Sequence, residues 1–284
     1  MTCPFLREAQ VKYCRTAAVR KLIPLTLAAT TDEKCGSAKH ASCDVFATHK
    51  EDDASASGPC PFLRSSLMQY CGAAPVAKFV PYSESLISRC GNDSFRYCEL
   101  YLAMAHPGTG GEEVDGTPVP GWLRFSANHM WLDVTEDGVC HAGIDAFLSR
   151  ALGKVDRVSY VWQKGARRPT AVLTVNGIDL EATFPNELML TGCNLYLRAD
   201  PSRLATDPYT AGWLFEGTPL EETTRGLMDA ATAKGWMHRE HGRINDFLQQ
   251  QTGCSADGGS FAAGLPRLLD REQTLELFHE FFYL

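Results

Sequence analysis

Ala171-Val172-Leu173-Thr174-Val175-Asn176-Gly177-Ile178 is the stretch on which the fold turns. β-branched and apolar residues fill its first half, and Asn-Gly is the pair favoured in a two-residue hairpin turn, where both positions take a positive φ. It predicts a β-hairpin. Working outward, residues 155–162 have the same β-rich composition, and His129-Met130-Trp131-Leu132-Asp133-Val134 alternates as a strand does. A helical stretch at 145–152 interrupts the strands.

The remainder, 218–284, reads as a helical tail. Thr218-Pro219-Leu220-Glu221 has a capping residue, then proline at the first helical position and glutamate at the third. Asp270-Arg271-Glu272-Gln273 repeats that logic ahead of Leu275, Phe278, Phe281 and Phe282, which share one helical face. Such a stripe serves either the chain's own core or a partner. Packing on the chain's own core is the first reading; large aromatics are also frequent interface anchors, so docking through this tail is the further expectation.

Upstream of the strands the chain is duplicated. Cys3, Cys14, Cys35 and Cys43 recur as Cys60, Cys71, Cys90 and Cys98, and Cys3-Pro4-Phe5-Leu6-Arg7 returns as Cys60-Pro61-Phe62-Leu63-Arg64. The copies occupy 1–46 and 59–104. The acidic, Ser/Ala-rich stretch 49–58 and the Gly-rich stretch 107–111 read as linkers. Units this small need a metal, disulfides or a neighbour to hold a fold. The eight thiols are therefore candidate metal ligands, for two iron–sulfur clusters or two zinc ions, with metal-free buried or redox thiols as the third possibility. No Cys-x2-4-Cys knuckle is present, and His40 of the first copy is replaced by Phe95 in the second, so histidine is not part of the repeated set. Pro4 and Pro61 suit the first turn of helices. A continuous helix from Cys3 to Cys14 would separate those thiols by ~16 Å, too far to share one ion. Cys140, Cys193 and Cys254 read as small core or surface residues.

Composition limits the function. A net charge of −7 argues against a nucleic-acid binder, and the small basic group Lys12, Arg15, Arg20 and Lys21 reads as a solvated face. No apolar run approaches the ~18 residues of a membrane span, and no basic-then-apolar leader opens the chain, so the cytoplasm is expected. No Gly-rich phosphate loop, zinc-protease helix or Gly-x-Ser-x-Gly elbow suggests an enzyme.

Residues 118–217 resemble the H protein of the glycine cleavage system. The matching residues are His129-x-Trp131, Gly138, Ala142-Gly143-Ile144, Leu152-Gly153, Pro185, Asn194 and Pro201, with the run Asp207-Pro208-Tyr209-Thr210-Ala211-Gly212-Trp213-Leu214 as the strongest segment. The resemblance implies an α+β chain built on a flattened β-barrel or sandwich of lipoyl type. It also implies a lysine at a hairpin tip that carries lipoic acid between partner enzymes. Counting back from the Asp-Pro-Tyr run puts Gly177 in that lysine's place, and no lysine occurs between Lys164 and Lys234. Lipoate is therefore not expected, and His129 and Trp131 read as structural. The expectation is a non-catalytic scaffold subunit with metal-binding cysteine modules, docked with protein partners in a larger complex. The alternative is an electron-transfer subunit with two iron–sulfur clusters.

Overall fold

The computed structural model describes residues 2–17, 23–24, 34–49, 57–74, 78–80, 89–105, 112–136, 138–161, 165–252 and 261–283. Most of both linkers, together with Arg20, Lys21 and Cys254, lies outside these residues. Two compact units emerge, Met1–Gly91 and Asn92–Leu284. Their division falls inside the second cysteine copy.

The first unit is a four-stranded antiparallel sheet, ordered β2-β1-β3-β4, of β1 (Leu6–Cys14), β2 (Ile23–Pro24), β3 (Leu63–Cys71) and β4 (Lys78–Val80). The segments after Pro4 and Pro61 are thus strands, where helices were expected. Glu8, Ala9, Gln10 and Lys12 do not oppose a helix. The nine-residue pairing of β1 with β3 overrides local preference. Gln10 pairs with Leu67, its own counterpart in the repeat, so a local two-fold axis passes between the copies. Lys12 pairs with Ile23 as Gln69 pairs with Val80, which extends the same symmetry to the outer strands.

In the second unit a two-stranded ribbon, β5 (Glu112–Val114) and β6 (Thr117–Val119), precedes two larger sheets. Seven strands are β7 (Arg124–Phe125), β8 (Met130–Val134), β9 (Cys140–Ile144), β11 (Ala166–Arg167), β14 (Leu188–Cys193), β15 (Phe215–Pro219) and β16 (Met228–Asp229), ordered β11-β14-β15-β9-β8-β7-β16. The other sheet is β10 (Arg157–Val161), β12 (Thr170–Val175) and β13 (Ile178–Thr183). Side chains of both sheets enter one hydrophobic cluster, as in a flattened sandwich. Among the described residues the strands close no barrel.

Three features depart from expectation. β8 is buried on both faces as far as Asp133, because Tyr97 of the second cysteine copy stacks on Trp131 and His141 and donates a 2.6 Å hydrogen bond to Asp133. Thr218-Pro219 ends β15 by pairing with β14, so the helix begins later, at Ala230–Thr252, where Asp229 caps Thr232. The last helix, Arg271–Phe282, has its expected capping box at Asp270 and Gln273. Its apolar face, however, belongs to the core. Leu277, Phe278, Phe281 and Phe282 are each 2% exposed inside the common cluster, whereas Leu275 stands 42% exposed. The docking expectation for this tail is thereby corrected: its stripe is spent on the chain's own sandwich.

Candidate functional site

The predicted hairpin is present. β12 pairs with β13 from Thr170↔Thr183 to Val175↔Ile178, and the two turn residues, Asn176 and Gly177, have φ of 51° and 75°. Consecutive positive φ values are the signature of a type I′ turn, which matches the twist of the flanking strands. Gly177 is exposed, with open space where a Cβ would stand, but its φ is one that side-chain-bearing residues rarely adopt. The tip is braced by its surroundings. The Asn176 backbone N–H donates to Asp156 at 3.0 Å, and its side-chain amide donates to the Pro266 carbonyl at 3.1 Å. No lysine lies on either arm.

The Asp207–Leu214 run works as a latch. The Asp207 carboxylate accepts from the Thr210 hydroxyl and from the N–H groups of Thr210 and Ala211. Tyr209 donates to the Pro118 carbonyl at 2.6 Å and accepts from the N–H of Ala146 at 3.0 Å. Trp131, fully buried, donates to the carbonyls of Ile144 and Pro208. Its indole leaves room only for glycine at 143, where a Cβ would lie 2.8 Å from the ring.

His129 is buried with a φ of 58°. Its Nδ1 meets Asp145 at 2.8 Å, its Nε2 stands 3.7 Å from Glu240, and its ring stacks on Phe147. Burial by itself lowers the imidazole pKa, but the two carboxylates outweigh burial and raise it. Glu240 is raised by burial and lowered more by His129 and Arg243. This ion-pair chain ties the Ala230–Thr252 helix to the sandwich. Sequence reasoning placed His129 as structural but missed its partners, since Glu240 is 111 residues away in the chain.

The eight repeat cysteines all lie among the described residues. Seven of them, Cys3, Cys14, Cys35, Cys43, Cys60, Cys71 and Cys90, lie in the first unit, and Cys98 lies in the second. Among the described residues no three His, Cys, Asp or Glu side chains stand together as a ready-made metal-binding group. His40 packs edge-to-face on Phe46 at 4.6 Å, as its counterpart Phe95 packs on Tyr101 at 4.9 Å, so its role is the aromatic one. The Cys14 thiol is raised by burial, but hydrogen bonds from the Thr16 hydroxyl and the backbone of Thr16 and Ala17 outweigh this and lower it. Burial pushes Cys140 up to about 12 and Cys193 up to about 11, as befits inert packing thiols. No helix among the described residues is long and apolar enough to cross a membrane.

A glycine cleavage system H protein of Halorhodospira halophila is 30% identical over 117 residues, which are 40% of this chain and 90% of that protein. H protein 1 of Pseudomonas putida is 31% identical over 112 residues, 38% of this chain and 87% of the relative. The chain belongs to the glycine cleavage system H protein family. The H-protein match covers well under half of the chain, and the H protein of Klebsiella pneumoniae matches likewise, 27% identical over 43% of this chain and 98% of its own length. A crystal structure of an H protein from Mycobacterium marinum aligns with a TM-score of 0.34 at 25% identity, over 42% of this chain and 98% of that one. No family model matches the chain.

Proposed function

We propose that this H-protein domain is not a lipoyl carrier and serves as a non-catalytic scaffold within a larger protein assembly, with the duplicated cysteine copies as metal-binding elements. The observation that carries the reading is Gly177, which occupies the tip of the hairpin in a chain with no lysine from 165 to 233. Lipoate is attached through an amide bond to a lysine amine, and this hairpin offers none. The H-protein relatives are named for the glycine cleavage system. For this chain, partners meet the exposed surface, since the aromatic face of the last helix is buried. The duplicated four-cysteine pattern, with thiolate as a soft ligand, supports metal binding.

Intact mass of protein from a lipoate-supplied, ligase-competent host tests the first part: the unmodified mass is expected. A lipoyl adduct on a peptide from 165–233 would overturn it. Metal analysis of anaerobically purified protein tests the second. Zinc in a colourless protein fits the scaffold, whereas a brown, iron-containing protein turns the reading to electron transfer.

A further inference from the structure

We propose that the two copies exchange a cysteine, so that Cys60 of the second copy joins Cys14, Cys35 and Cys43 of the first in one four-thiolate centre for a thiophilic metal. The inference rests on the reading that the repeat thiols hold metal, and it states which thiols serve one centre. β1 is nine residues long, so its eight steps carry the chain about 27 Å from Leu6 to Cys14. Cys3 precedes the near end and Cys14 is the far end. Zinc–thiolate bonds are about 2.3 Å long, so these two thiols cannot meet on one ion.

The antiparallel register supplies the alternative. Cys14 lies opposite Leu63, and the Leu63 N–H closes a turn on the Cys60 carbonyl at 3.0 Å. The Arg15 N–H donates to the Phe62 carbonyl at 3.0 Å, holding that turn against the end of β1. The Cys60 N–H then donates to the Cys35 carbonyl at 2.8 Å. Cys35 lies in the 3-10 turn Lys34–Gly36, and the next turn, Ala38–Ser42, packs on it and delivers Cys43. The two-fold repeats the arrangement: Gly72 N–H to the Phe5 carbonyl at 2.8 Å, and Cys3 N–H to the Cys90 carbonyl at 2.8 Å. Cys3, Cys71 and Cys90 therefore form the reciprocal set. A duplicated unit paired about its own dyad places each Cys-Pro-Phe turn beside the other copy's thiols. The side chains as they stand make no coordination sphere, so binding and ordering are one event.

Double variants of the full chain, expressed with zinc and iron and purified anaerobically, separate the two partitions. Cys14→Ser with Cys60→Ser is expected to lose one half of the bound metal, and Cys3→Ser with Cys14→Ser all of it. The reverse pattern, or equal loss in both, overturns the exchange. A second measurement is independent of metal: mild diamide oxidation of metal-stripped protein, followed by peptide mapping. Cross-links from Cys60 to Cys14 or Cys35 support the exchange, and cross-links confined to single copies, or none from Cys60, overturn it. Wild-type protein holding neither zinc nor iron defeats the metal reading itself, while the cross-link map still decides the partition.

Discussion

At the scale of single residues, His129 shows how a motif residue acquires its meaning. It sits between Asp145 and Glu240 with no solvent contact. A histidine whose native pKa is raised contributes stability that is complete below its unfolded value of about 6.5 and is lost as pH rises through the native value. Glu240, whose native pKa is lowered, contributes stability above its unfolded value and loses it as pH falls through the native one. The urea midpoint is therefore expected to decline on both sides of this window. His129→Gln removes the cation between Asp145 and Glu240 and leaves Glu240 with Arg243 alone. It should cost about 3–5 kcal/mol and flatten the alkaline decline. A variant that keeps the wild-type alkaline slope would show that other groups set it. That Gly177 stands at the tip of a tight hairpin was legible from the Asn-Gly pair alone. That Asn176 is tied to Pro266 was not, because Pro266 belongs to a segment 90 residues later.

Elements show where local rules succeed and where pairing overrules them. The Asn-Gly hairpin, the helix Ala146–Leu152 and the capping box at Asp270 all form where the sequence places them, since each depends on residues a few positions apart. Thr218-Pro219 and the residues after Pro4 carry equally local helix signals and become strands, because β14 and β3 offer them long partners. The last helix is amphipathic as its sequence indicates, and of the two uses open to its stripe the chain's own core takes it while the docking expectation fails. Phe278→Ala should cost about 3–5 kcal/mol in urea denaturation, the usual penalty for emptying a buried aromatic site. Leu275→Ala, at an exposed position, should stay within about 0.5 kcal/mol. Equal small effects at both positions would return the helix to the docking reading.

For the whole molecule, the boundary between units matters most. Residues 92–105 close the outer face of β8 and β9 through Tyr97, and the helices Ala230–Thr252 and Arg271–Phe282 close the core from elsewhere. A fragment of 92–284 is therefore expected to melt cooperatively with a native near-ultraviolet circular dichroism spectrum. A fragment of 118–217, the extent of the family resemblance, should lack both. A sharp transition in the shorter fragment would mean that the sandwich needs neither cover.

The sequence by itself determined the duplication, the family of the middle domain, its Asn-Gly hairpin and the absence of lysine between Lys164 and Lys234. These are matters of residue identity and short-range spacing, and a chain carries them openly. Only the tertiary structure decided that β1 and β3 pair about a dyad, that Tyr97 serves the sandwich, and that the tail's aromatic face is buried. Each joins segments tens of residues apart. Strand registers and buried faces of that kind are selected by the apolar area and hydrogen bonds they satisfy together, which no local window contains.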